Sequence, residues 1–280
     1  MAKQPRLGPF PEYSSSSGPS WVGRVLLGLA GFVGLGLVLT PLGVVLWTSG
    51  TPPLGRPWSW QFYAQVWQGS DWLRAALNSG VVALSVASLQ VVTSALAGYG
   101  LARYPFRGRR VILALILASL VLPLPLLVIP VFLVLKSGHL LNTYGALILP
   151  TAASGFGIVL MRQAFLGIPP SLEEAAQLDG ARPWQILVWI VLPLVRPAVV
   201  TLALFAILGE WNDLFKPLVF TTRPALQTVS LALVSLQEQF TSNWSLLMAG
   251  VVLATAPVIV LFLMGQRYLL QGLGNAGLKQ

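Results

Sequence analysis

The chain has 280 residues, 55% of them apolar and only 9% charged, with 17 Lys and Arg against 8 Asp and Glu, a single His and no Cys. A soluble domain carries about a quarter charged residues, and apolar runs of about 18 or more residues recur here, so the composition excludes an ordinary soluble enzyme and describes a polytopic membrane protein. Without Cys there is no disulfide frame or thiolate metal site, the lone His139 speaks against an imidazole-based metal centre, and the net charge of +9 sorts by membrane side rather than gathering into a nucleic-acid face.

Residues 1–20 are polar and rich in Pro and Ser, which predicts a disordered tail and does not resemble a signal peptide. A first span is expected from Arg24 to Trp47, with Gly28, Gly31 and Gly34 along one side for close helix packing. The connector Thr51 to Asp71 holds Trp58, Trp60 and Trp67, with Trp72 just after it, an aromatic signature of the membrane interface. A second span covers Ala75 to Ala102 and leads into a loop carrying Arg103, Arg107, Arg109 and Arg110. The third, Val111 to Leu135, contains Pro123, Pro125 and Pro130, so it is kinked or broken near mid-membrane. The fourth runs from Thr143 to Phe165, the fifth from Pro197 to Phe220, and the sixth from Ser245 to Leu270, bent at Pro257. Thr221 to Asn243 reads as a polar connector and residues 271–280 as a tail. The expected fold is therefore all-α, with a six-helix transmembrane domain over 21–270 and a loop at 166–196 between the fourth and fifth spans.

Six spans put both termini on one side. Grouping the termini, the arginine loop and the 166–196 loop collects twelve of the 17 basic residues. The opposite side keeps Arg56, Arg74, Lys136, Lys216 and Arg223. The positive-inside rule then places the termini and both loops in the cytoplasm.

The 166–196 loop is rich in capping signals. Pro169-Pro170 stops the preceding helix, Ser171 reads as an N-cap with Glu174 as its capping-box partner, and Gly180 supplies the left-handed residue that closes a two-turn helix. Pro183 opens a second short helix, which Pro193 and Pro197 are expected to break. The product is an elbow with Ala175 and Ala176 on a smooth surface that a partner's groove can approach. Glu174-Ala175-Ala176, Asp179-Gly180-Ala181, then Ile190, Leu192-Pro193-Leu194 and Pro197 resemble, at the family's spacing, the cytoplasmic loop of the permease subunits of bacterial ABC importers.

That resemblance implies that Glu174, Ala175, Ala176, Asp179, Gly180, Ala181 and Pro193 couple the chain to a separate ATPase. Asn78-Ser79, the run Ala97 to Gly108, Leu141-Asn142-Thr143, Trp211-Asn212-Asp213 and Leu247 to Gly250 look like the carbohydrate branch. Within it they are similar to the second, G-type, of the two paralogous permeases of maltose-type importers. The resemblance implies a paralogous permease as heterodimer partner, two ATP-binding cassette subunits, an extracytoplasmic sugar-binding protein, and residence in the bacterial inner membrane. The tail Gly272 to Gln280 departs from the family's ending, where relatives contact the ATPase.

No Gly-x-x-x-x-Gly-Lys-Ser/Thr loop occurs, so no cofactor is expected and ATP belongs to a partner. Gly272-x-Gly274-x-x-Gly277 follows a membrane helix rather than a strand, and Asn243-Trp244-Ser245 is too short a pattern to carry weight. Glu210 and Asp213 are the carboxylates expected inside a span. Helical spacing puts them on one stripe with Ala203, Ala206 and Pro217, facing the bundle interior. Glu210, Trp211, Asn212 and Asp213 are thus candidates to border a sugar path. The local alternative pairs Asp213 with Lys216 and uses Glu210 as a strut to the partner permease. An importer for a non-sugar solute stands beside the carbohydrate reading, as do an ATPase-independent secondary transporter, for which no internal repeat is visible, and a scaffold without a path.

Overall fold

The computed structural model describes residues 21–52, 57–69, 71–239 and 243–277. The expected tail at 1–20, the last three residues, and Lys3, Arg6, Arg56 and Lys279 lie outside the described residues. The chain divides into two units, one up to Leu46 and one from Trp47 onward. Helix α1 (Trp21–Gly50) starts in the first; its apolar window has no buried residue, and Gly28, Gly31 and Gly34 have no atom within 4 Å of where a Cβ would sit.

Among its described residues the second unit is built of helices joined by turns and short connectors, with no strand. It runs α2 (Gln61–Gly69), α3 (Trp72–Arg103), α4 (Arg109–Ser119), α5 (Val128–Ser137), α6 (Tyr144–Ile148), α7 (Gly155–Leu166), α8 (Pro170–Leu178), α9 (Pro183–Gln185), a π-helical stretch Ile186–Val191, α10 (Leu192–Leu194), α11 (Arg196–Trp211), α12 (Phe215–Phe220), α13 (Val229–Gln239) and α14 (Trp244–Gly277). Among the described residues three helices are long and apolar enough to cross a membrane, and up to six crossings result if each bent pair counts as one. The pairs are bent by 98° at residues 120–123, by 46° at 152–154 and by 82° at Val195.

The prolines explain the first break: Pro123 is extended (φ −71°, ψ 140°) and Leu124–Leu127 forms a 3-10 turn before α5. The second break begins with the 3-10 turn Leu149–Thr151, and α7 restarts behind Ser154, whose hydroxyl accepts from the Gly157 N–H at 3.2 Å.

Helix α3 is the axis of the unit, with a core at each end. Near its start, Trp72 and Ala75 pack with Phe62 and Val66 of α2, Val229, Ala232 and Leu236 of α13, and Leu246 and Ala249 of α14. Near its end, Ala95, Tyr99 and Ala102 pack with Met161 and Phe165 of α7 and with Ala176, Ile186, Leu187 and Val191. The crossing with α7 is close because of Gly98. A Cβ there would lie 2.9 Å from the Arg162 backbone nitrogen and 3.1 Å from the Ile158 carbonyl oxygen.

Several expectations are corrected. Trp72 is 3% exposed and belongs to the core, not to an interfacial belt, because α2 folds over it. The two connectors are not merely polar: each contains a helix, α2 and α13, that buries an apolar edge. The fifth span does not run unbroken to Phe220 but stops at Trp211 and restarts at Phe215. Helix α14 passes through Pro257 and continues to Gly277, beyond Leu270. Lys216 is 1% exposed and cannot count as an outer charge.

Candidate functional site: the elbow and the buried ion cluster

The elbow is built from α8, α9, the π stretch and α10. Helix α8 opens with Pro170 at its first position and has no side-chain N-cap, so the expected capping box of Ser171 and Glu174 is replaced by proline's preset φ and missing N–H. It closes as the sequence predicts: Gly180 takes φ +84°, its N–H donates to the Gln177 carbonyl (3.0 Å), and the Ala181 N–H donates to the Ala176 carbonyl (3.0 Å).

Pro193 does not end the second helix. In an α-helix its ring would press on the Trp189 carbonyl four residues back. The backbone widens to π geometry over Ile186–Val191 and carries the proline into α10, and the sharp turn falls at Val195 instead.

The coupling candidates divide between two faces. Glu174, Ala175, Asp179, Gly180 and Pro193 are exposed, Ala181 is half-buried, and Ala176 is buried in the core. The smooth surface expected from Ala175 and Ala176 together is therefore Ala175 alone. Leu172 and Leu178, three residues to either side of it, are 47% and 90% exposed among the exposed polar Ser171, Glu174, Gln177 and Asp179. Farther along the elbow Trp184 is 56% and Trp189 71% exposed.

Glu173, which sequence reasoning passed over, is the carboxylate that holds the elbow. It is 6% exposed; Oε2 accepts from the Tyr99 hydroxyl at 2.7 Å and Oε1 from Arg103 Nε at 2.6 Å. Arg103 also donates to the Ile168 carbonyl at 2.9 Å. Two signals pointed to Glu173: it stands three residues from Ala176 on the inward side of α8, and Tyr99 and Arg103 stand one turn apart on one side of α3.

The path candidates gather around Lys216, as the local alternative expected for Asp213, whereas Glu210 is bonded to that same lysine rather than acting as a strut to a partner permease. Lys216 Nζ is bonded to Glu210 Oε2, donates to Thr151 Oγ1 at 2.6 Å, and lies 3.4 Å from Asp213 Oδ2. The side chains are 1% (Lys216), 8% (Glu210) and 19% (Asp213) exposed. Asp213 sits in the break between α11 and α12, so the expected helical stripe through it does not exist. Its Oδ1 accepts from the Phe215 N–H at 2.9 Å and caps α12. A lone charge at membrane depth costs at least about 2.5–3.5 kcal/mol, which explains why the lysine and carboxylates gather.

Trp211 donates its indole N–H to the Ala254 carbonyl at 3.1 Å. Asn212 is exposed and donates to the Leu208 carbonyl at 2.8 Å. Beside them lies a cavity of about 120 Å³ whose lining includes Ser230, Leu233, Ala254 and Thr255.

The other family-like residues are structural fasteners. Asn78 Nδ2 donates to the carbonyls of Ala225 (2.9 Å) and Gln227 (2.8 Å), and its Oδ1 accepts from the Tyr144 hydroxyl at 2.5 Å. Ser79 Oγ accepts from the Val229 N–H at 2.9 Å. Asn142, at φ +61°, accepts from the Thr222 N–H at 2.6 Å.

Residues 90–275 match the family described as binding-protein-dependent transport system inner membrane component. The chain is 34% identical over 202 residues to the arabinooligosaccharides transport system permease protein AraQ of Halalkalibacterium halodurans, covering 72% of each chain. It is 33% identical to the lactose transport system permease protein LacG of Rhizobium radiobacter, covering 76% of each. It is 31% identical to the diacetylchitobiose uptake system permease protein NgcG of Streptomyces coelicolor, covering 82% of this chain and 81% of that one. A crystal structure of a bacterial ABC transporter involved in the import of alginate contains a chain of the same fold, with a TM-score of 0.78 at 24% identity over 89% of this chain and 98% of that one. The chain therefore belongs to the binding-protein-dependent transport system inner membrane components, the permease subunits of ABC importers.

Proposed function

We propose that this permease forms half of the translocation path of a carbohydrate importer and is driven by ATPase subunits that dock on its elbow. The observation that carries this reading is the division of the elbow: Glu173 and Ala176 anchor it inward, while Leu172, Ala175 and Leu178 leave an apolar ridge facing out. An exposed apolar ridge on a rigid helix is a docking element. In the proposed assembly Glu174, Asp179, Gly180, Ala181 and Pro193 shape that contact, two ATP-binding cassette subunits supply it, and a G-type pairing with a paralogous permease completes the path. An extracytoplasmic binding protein delivers the sugar.

A mono- or oligosaccharide substrate is supported by the sugars named for the relatives. The bent pairs are the third, fourth and fifth of six spans, and both termini lie in the cytoplasm. Moving Lys216 inside the bundle leaves twelve basic residues against four, which strengthens that orientation. Among the path candidates, Asn212 and the cavity beside it line the path. Glu210 and Asp213, held by Lys216, shape the break, and Trp211 fastens α11 to α14.

The test is to tag the chain, solubilise the membrane gently and identify the proteins bound to it. An ATPase and a second permease should co-purify, and vesicles holding the complex should take up a sugar of these classes only with ATP and a binding protein. Isolation of the chain alone, active without ATP, would sink the reading.

A further inference from the structure

We propose that α3 is a rod that carries the elbow's movement to the far side of the membrane, with Glu173, Tyr99 and Arg103 as positioning residues at one end and Asn78 and Ser79 at the other. This rests on the elbow being the ATPase contact. The bent pairs absorb a displacement at their breaks of 98°, 46° and 82°. Helix α3 has 32 residues, no proline and no break, and spans about 48 Å at 1.5 Å per residue.

Both ends are pinned by saturated, buried polar groups. Each carboxylate oxygen of Glu173 is taken by a side chain of α3, and Arg103 adds the Ile168 carbonyl just before the elbow. At the other end the Asn78 amide donates twice to the segment Ala225–Gln227 and accepts from Tyr144, while Ser79 takes the first N–H of α13. Asn78 is 3% and Ser79 1% exposed.

Tyr99 stands 21 residues after Asn78, about 31 Å along the axis and close to the thickness of the hydrocarbon layer. Between these ends α3 is held to its neighbours at two further points. Gln90 donates to the Thr151 carbonyl at 2.7 Å, and Gly98 seats α3 against the α7 backbone. A shift of the elbow therefore moves α3 as one body and arrives at the 224–229 segment and the foot of α13.

The chain has no cysteine, so Arg223→Cys, at an exposed position next to that segment, gives it a single reporter thiol. In the assembled importer, its rate of labelling by a membrane-impermeant maleimide is followed with and without a non-hydrolysable ATP analogue, by mass spectrometry of this chain. The analogue should change the rate about fivefold or more. Glu173→Gln or Tyr99→Phe in the same background should bring that change below about twofold and lower the sugar moved per ATP hydrolysed. Asn78→Ala should do the same from the other end.

Tyr99→Phe removes one hydroxyl and keeps the ring, so it carries the test even where Glu173→Gln fails to accumulate. A complex that assembles with its ATPase yet shows no ATP-linked change at Arg223→Cys overturns the rod, as does one that keeps the change in Tyr99→Phe and Asn78→Ala. Failure of any ATPase to assemble counts instead against the function proposed above.

Discussion

Two buried carboxylates, Glu173 and Glu210, are each paired with a cation, and they do different work. Glu173 reaches partners 70 and 74 residues away and ties the elbow to α3. Glu210 finds its lysine six residues on, inside its own broken span, and among the described residues it is Thr151 that links that cluster to a distant element. Pairing within one segment preserves the shape of a break; pairing between segments makes two elements move together. The same side chain can serve either purpose, and the partner's place in the fold decides which.

The largest effect should come from Lys216→Met, which leaves two carboxylates buried without a cation. A loss of about 3–5 kcal/mol is expected, read as collapse of the folded yield or of the thermal midpoint. Adding Glu210→Gln should restore part of it. A single variant as stable as the parent would erase the idea that this cluster is structural.

Glu173→Ala comes next, at about 3 kcal/mol, because Arg103 keeps its bond to the Ile168 carbonyl. If its cost exceeded that of Lys216→Met, the order of the two clusters would be reversed. Gly98→Ala tests the frame that the Glu173 contact relies on. The added methyl meets backbone, which yields poorly, so a loss of about 1–3 kcal/mol is expected.

Leu178→Ser should hardly change folding, since that side chain is 90% exposed, but it should weaken ATPase co-purification by about tenfold. The smallest effect on folding belongs to Glu174→Gln: Glu174 is exposed, so thermal stability should stay within about 0.5 kcal/mol. A large loss there would return to Glu174 the anchoring role that the structure gives to Glu173.

How much of this was legible is clearest at the elbow. Gly180 announces its left-handed turn and Pro183 its helix start, because both are local demands of backbone geometry. The choice between Glu173 and Glu174 is not local: each suits the first turn of α8, and only the approach of Tyr99 and Arg103 separates them. Pro193 misled in the same way, since a proline breaks an α-helix but not a π-widened one. Asp213 looked helical until the break at Asn212 removed the helix around it.

The sequence by itself determined that the chain is a helical membrane protein with a proline-bracketed elbow between apolar segments, because composition, period and capping residues act over a few positions. Only the tertiary structure decided which carboxylates are anchored and which tryptophan is core. The anchoring of Glu173 and the burial of Trp72 depend on partners dozens of residues away, and in a medium without water a buried charge left without a partner is costly.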